Sequence, residues 1–279
     1  MFNKKIIIMK AKFYEAANLV HATLRFYSNC YIDGKIVPAT QIVAIDDDIT
    51  SAMWAAKLFY EIRQVHGFSP MVLCVGGKGL MSKHTHKKSE ADLLSFVLQQ
   101  LGVDKSHIVC LGEGRNSGDN VLAVAKYSSA TAITLWCATQ RLSLRLERTQ
   151  VQQAPQLKSF YYVIEQNLNE VMRYYNGKGL CGGQMLLHEL ASILNRCDAY
   201  AGTFQKPLTF EVVPRVREAA KLLESNFRLK LPNKNFKSFL QFLQLFFSIL
   251  KNKKKMKEDL EQAVQVFRQQ LIADKLING

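Results

Sequence analysis

Over the first 165 residues, short apolar runs alternate with stretches whose apolar positions return every three or four residues. The runs at Gln41–Ile45, Met71–Val75, 107–111, 131–137 and 159–164 read as buried strands bounded by turn residues. Between them, helical periodicity covers 50–66, 89–101, 119–128 and 140–152, with Thr50 as a candidate cap. An opening helix is expected over 14–30. Continuous apolar strands alternating with helices predict an α/β fold, a Rossmann-like parallel sheet covered on both faces. Past residue 166 the strand pattern stops, and helices are expected at 166–175, 184–196 and 212–229, with a Gly-rich break at 177–183. Residues 236–250 are nearly all apolar, Lys251 to Lys257 form a basic turn, and 258–276 carry apolar residues at 260, 264, 267 and 271. That ending predicts an αα-hairpin within a smaller α-helical C-terminal part. The expected division is an N-terminal helical extension over 1–36, a Rossmann-like domain over 37–170 and a helical part over 171–279.

Composition narrows the class. A chain of 279 residues with 48% apolar and 22% charged positions has enough material for a core, which argues against disorder. No apolar run approaches the roughly 20 residues that a membrane-spanning helix needs. The basic excess is large, a formal charge of +14, but half of it lies in the last 54 residues. It therefore says little about a ligand at the sheet. No helix-turn-helix, RNP or zinc pattern accompanies the charge, so direct nucleic-acid binding is not indicated. The six cysteines show no CxxC or other metal-ligand spacing. Cys74, Cys110 and Cys137 fall in strand-like runs, where a free thiol is expected to act as a small hydrophobe. The four-residue apolar run in MFNKKIIIMK is too short for a signal-peptide core, and reduced thiols in a cytoplasmic protein are expected.

In an open parallel sheet, ligands bind outside the carboxyl ends of the strands. The unusual residues of this chain gather there. Asp46-Asp47-Asp48 follow the first strand, Gly76-Gly77-Lys78-Gly79 the second, 112–120 the third and Ala138-Thr139-Gln140-Arg141 the fourth. Glycines at such a point let backbone N–H groups face an anion, although a tight turn needs them equally. The GGKG run is neither a Walker A loop nor a GxGxxG fingerprint. Aspartates before a helix suit its dipole; three in a row could also take ribose hydroxyls, an ammonium group or Mg²⁺. Ser89, Glu90, Asn116, Asp119 and Asn120 stand at helix starts, where capping competes with ligand contact. Arg141 is a cation at a helix N-terminus, which the dipole opposes, so an anionic partner is expected.

Taken in order, Gly76-Gly77-Lys78-Gly79, Ser89-Glu90-Ala91, Leu101-Gly102-Val103 with Ile108, and Asn116-Ser117-Gly118-Asp119-Asn120 resemble the bacterial YdcF, SanA and ElyC superfamily. The YdcF-like branch is the nearest in pattern, through the NxGDN form and through Asp198-Ala199-Tyr200 and Val212-Val213-Pro214. The resemblance spans about residues 14–225. It implies a Rossmann-like domain with a smaller helical part and a small ligand, S-adenosylmethionine or a nucleotide-like relative. No reaction comes with it. It carries over Gly76, Gly77, Ser89, Glu90, Asn116, Asn120 and Arg141 as pocket residues. The chain departs from the family's pattern in three places. Asp46-Asp47-Asp48 replace a Gly-containing loop, Gly114-Arg115 replace a Ser-Thr pair, and Ala138 stands where many relatives have His. Without that His the best general base is missing.

Three functions follow as expectations. The first is binding of a small ligand at the carboxyl edge of the sheet by Asp46, Asp47, Gly76, Gly77, Lys78, Gly79, Ser89, Glu90, Asn116, Asn120 and Arg141. Here GGKG would cradle a carboxylate or phosphate, an aspartate would take hydroxyl or ammonium groups, and Arg141 would pair with an anionic group. The second is a Mg²⁺-dependent phosphoester hydrolase using Asp46, Asp47, Glu90, Glu113 and Asp119. The third is a membrane-surface or partner-binding module through residues 236–276, peripheral to the inner membrane face; its competitor is a hairpin packed on the body or on the mate in a homodimer.

Overall fold

The computed structural model describes residues 2–23, 27–45, 49–77, 89–169, 198–208, 211–226 and 260–278, together with 171, 190, 193, 194 and 258. In chain order the elements are α1 (Phe2–Thr23), β1 (Tyr31–Ile32), β2 (Lys35–Ile36), β3 (Gln41–Ile45), α2 (Thr50–His66), β4 (Met71–Val75), α3 (Glu90–Gln100), β5 (Ile108–Leu111), α4 (Ser117–Tyr127), β6 (Ile133–Thr139), α5 (Gln140–Gln153), β7 (Lys158–Ile164), α6 (Pro214–Asn226) and α7 (260–273). Two compact units result. One comprises residues 26–165, 202–206 and 259–279, the other 1–25, 166–201 and 207–258.

The first unit holds a five-stranded parallel sheet in the order β5-β4-β3-β6-β7. Counted along the chain, the order is third, second, first, fourth, fifth, so the winding reverses beside β3. Right-handed crossovers then put the helices before and after the reversal on opposite faces. Side chains alternate accordingly. Ile42, Ala44, Cys74, Leu135 and Cys137 pack with α2 and α3, whereas Val43, Ile45, Leu73, Val75, Trp136 and Ala138 pack with α4 and α5. This is the α/β, Rossmann-like arrangement expected from the apolar pattern, with the five strands and four intervening helices within a few residues of their expected bounds.

Several local expectations are corrected. The opening helix is not 14–30 but Phe2–Thr23, and residues 27–30 are already outside it. The reason lies in Ser28 and Asn29, whose polar groups serve the edge strand β7. Asn29 Oδ1 accepts from Tyr161 N at 2.6 Å, Asn29 N donates to Tyr161 O at 3.0 Å, and Ser28 Oγ accepts from Val163 N at 2.9 Å. These contacts occupy groups that an edge strand otherwise leaves open. Thr50 does not cap α2; it is the first helical residue, behind Ile49, which has no capping oxygen. A hairpin, β1–β2, was not expected. Its two-residue turn has φ of 50° at Asp33 and 74° at Gly34, the type I′ geometry that favours Asp-Gly.

Helix α7 belongs to the sheet unit. Val264 and Leu271 are buried in the core on the α2–α3 face, and Leu260, Phe267, Leu276 and Ile277 pack against it. The Phe267 ring meets Trp54 edge-on at 5.9 Å, and Trp54 lies 5.2 Å from Tyr162 of β7. In the second unit, α1 packs along α6, Tyr14 donates a hydrogen bond to Asn169 at 3.0 Å, and Arg217 pairs with Asp198. The helices expected at 166–175 and 184–196 fall largely, and 236–250 wholly, outside the described residues.

Candidate functional site

The winding reverses between β3 and β6, and ligands of doubly wound sheets bind outside the carboxyl ends of the strands at such a point. β4 and β6 both flank β3, so their ends stand about 10 Å apart, two strand spacings. Asp46 and Asp47, which follow Ile45 in the chain, lie outside the described residues, as do Lys78 and Gly79.

The β4–α3 junction is built from close backbone contacts. Gly76 has a φ of 136°, and a methyl group there would lie 2.7 Å from Glu90 Oε2. At Gly77 an added methyl would run into the carbonyl oxygen of Gly114 and lie 2.9 Å from that of Gly112. Only glycine meets both demands. The same backbone caps α3: Gly77 O accepts from Glu90 N at 3.2 Å, and Gly76 O from Ala91 N at 2.9 Å. Ser89 completes the cap in a reciprocal box, since its Oγ accepts from Asp92 N at 3.1 Å while Asp92 Oδ2 accepts from Ser89 N at 3.0 Å. The N–H groups of Gly76 and Gly77 are themselves engaged, donating to Leu111 O at 3.3 Å and Gly114 O at 2.8 Å. Of the expected anion cradle, these two glycines therefore contribute shape and capping rather than open N–H groups.

The next junction repeats the scheme. Asn116 caps α4 by accepting from Asp119 N at 3.0 Å, and Asp119 Oδ2 reaches back to Arg115 N at 3.1 Å. Asn120 is 8% exposed and faces Gly114; its Oδ1 is buried and has no hydrogen-bond partner. An acceptor in that state is costly to leave unpaired, and such groups mark places where a ligand or water donor fits. Gly118 gives room to the Phe204 ring, while Gln153 Nε2 holds Phe204 O at 3.1 Å.

At the β6–α5 junction, Thr139, Gln140 and Arg141 are all buried, Arg141 to 4% exposure. A guanidinium buried in the first turn of a helix needs compensation, and Arg141 has interactions within the fold. Ala138 is buried in the core facing α4 and α5, so a small apolar side chain fills the position where the resemblance expects His.

The structure thus gathers Gly76, Gly77, Ser89, Glu90 and Asn120 around the ends of β4 and β5, with Asn116 capping the helix that carries Asn120. Arg141 stands across β3 at the end of β6. Ser89 and Asn116 act as caps, and Glu90, Asn120 and Arg141 are the candidates among the described side chains, Glu90 and Arg141 already engaged within the fold. Among the described residues, no group of three or more His, Cys, Asp or Glu is arranged to hold a metal ion. No described helix is long and apolar enough to cross a membrane. Leu260, Val264, Phe267 and Leu271 of α7 pack on the sheet unit, while Val266 is exposed.

Sequence reasoning missed the thiol pair beneath this edge. Cys74 and Cys110 are register partners on β4 and β5, and Cys110 is exposed rather than core. Strand spacing in the chain carries no sign of that pairing, which depends on register. Cys30, Cys74, Cys110 and Cys137 are free thiols. Comparison of the chain with protein-family models and with curated proteins gives no match.

Proposed function

We propose that the protein binds a small nucleotide-like ligand, S-adenosylmethionine first among candidates, over the carboxyl ends of β3 and β6. The observation that carries this reading is the reversal of strand order beside β3, with a buried Arg141 on one side and Glu90 and the unpaired Asn120 Oδ1 on the other. Arg141 would pair with the ligand's carboxylate or phosphate, Glu90 would take an ammonium or hydroxyl group, and Asn120 would accept from a ring or amino N–H. Asp46 and Asp47, next along the chain from β3, would add hydroxyl contacts. The setting we assign is a reducing cytoplasm.

Titration calorimetry with S-adenosylmethionine and its demethylated product tests the reading, alongside native mass spectrometry of freshly purified protein. One ligand per chain is expected, with Glu90→Gln and Arg141→Lys each weakening it at least tenfold and leaving the circular dichroism unchanged. Absence of both heat and retained ligand sinks the proposal. Tight Mg²⁺ or Mn²⁺ binding in equilibrium dialysis, with no adenosyl ligand bound, would replace it by the hydrolase reading.

A further inference from the structure

The pairing of β4 with β5 sets Cys74 directly beside Cys110. Register partners on parallel strands point to one face, and strands stand about 4.8 Å apart, inside the range of roughly 4.4–6.8 Å over which Cα atoms of disulfides are found. Both thiols lie on the α3 face. Cys74 is in the core with Ala91 and Leu94, and Cys110 Sγ is 3.7 Å from Ala91 O. They differ in access, since Cys74 is fully buried and Cys110 is exposed.

From this geometry we propose that Cys110 is a peroxide-reactive cysteine and Cys74 its resolving partner, the two closing a disulfide between β5 and β4. The electronic setting agrees. The Cys74 thiol, donating to Cys110, brings the Cys110 thiol down to about 6; burial works against this, Ser95 of α3 assists with a second hydrogen bond, and the Asp92 carboxylate opposes. Cys74 is driven well above the ordinary thiol range by the same shared bond and by burial. Among the described residues, Cys74 of β4 and Asp92 of α3 are the titratable groups that act on Cys110. The setting therefore favours ionisation at Cys110 over Cys74.

The chemistry balances with hydrogen peroxide as oxidant. The Cys110 thiolate attacks one peroxide oxygen, the O–O bond breaks, and hydroxide leaves with the proton that Cys110 had lost, as water. Cys110 is then a sulfenic acid. The Cys74 sulfur attacks the Cys110 sulfur, the S–O bond breaks, and the departing hydroxide takes the Cys74 proton as a second water. Two thiols and one peroxide have become one disulfide and two waters, and a cellular dithiol or glutathione reverses the change.

Peroxide treatment of the full chain, followed by non-reducing digestion and mass mapping, tests this. A peptide pair linked through Cys74 and Cys110 is expected. In Cys74→Ser, Cys110 should instead accumulate as a sulfenic acid that captures dimedone, at least tenfold faster than in the urea-unfolded chain. Cys110→Ser should abolish the fast reaction. Alkylation of the untreated wild type by iodoacetamide should show a pH midpoint near 6 at Cys110, moving to the ordinary thiol range in Cys74→Ala. A disulfide mapped to other cysteines, no acceleration at Cys110 over the unfolded chain, or an ordinary alkylation midpoint in the wild type each overturns the assignment.

Discussion

At the scale of single residues, the carboxyl edge of the sheet is governed by how closely two backbones approach. Gly77 sits against the carbonyls of Gly112 and Gly114, and its own N–H is held by Gly114. A methyl group there cannot be accommodated by a side-chain rotation, because its neighbours are main chain. Gly77→Ala should cost about 1–3 kcal/mol, measured as a lowered urea midpoint at unchanged slope. Asn120 is packed as closely, its Oδ1 lying against Gly114 without a hydrogen-bond partner. In the cysteines, one residue type takes two roles. Cys30 is buried and its thiol is pushed up to about 12 by burial, so it should stay unreactive under conditions that modify Cys110.

At the scale of elements, α3 and α4 show how a capped helix start can resemble a binding motif. The Ser-Glu-Ala and Asn-x-x-Asp-Asn patterns place polar residues where α3 and α4 begin, and much of that polarity satisfies the helices' own N–H groups. Ser89→Ala removes the side-chain half of the capping box and should cost about 1 kcal/mol in equilibrium unfolding. Its effect on ligand affinity should be several-fold smaller than that of Glu90→Gln, because Ser89 Oγ is engaged with Asp92. Helix α5 is the contrasting case. Polar and charged residues alternate with Leu along it, yet Gln140, Arg141, Ser143, Arg148, Thr149 and Gln150 are all buried. Its burial is sustained by internal polar contacts, among them Tyr161 Oη to Gln150 Oε1 at 2.7 Å, Gln205 Nε2 to Thr149 Oγ1 at 3.2 Å and Arg148 to Glu147 at 2.9 Å.

For the whole molecule, the sheet unit draws its last helix from the far end of the chain. Val264 and Leu271 fill the α2–α3 face and Phe267 leans on Trp54. Leu271→Ala should therefore destabilise the sheet unit by about 2–4 kcal/mol, comparable to deletion of a leucine inside a continuous domain. Deletion of 258–279 should also shift the emission of Trp54 to the red, while Trp136, packed in the opposite face of the sheet, stays unchanged. An unshifted spectrum would show that α7 does not cover Trp54 in solution.

Much of this architecture is legible in the chain. Gln41–Ile45 and Met71–Val75 are continuous apolar runs because both of their faces are buried, and that pattern by itself implies a parallel sheet between helix layers. Candidate residues at the strand ends follow from the same logic, since loops after buried strands are where polar residues can gather. The Asp33-Gly34 turn was also written in the residues, but two-residue strands are too short for periodicity to register. What tertiary structure alone decided was adjacency. Strand order and register place Cys74 beside Cys110, Gly77 against Gly114, and 260–273 on Trp54. These contacts join positions tens to hundreds of residues apart, and the energy that selects them comes from shape and burial that no local window contains. The basic tail that dominated the composition shows the same division: its charge is visible in the sequence, whereas the apolar stripe of α7 found its partner only in the fold.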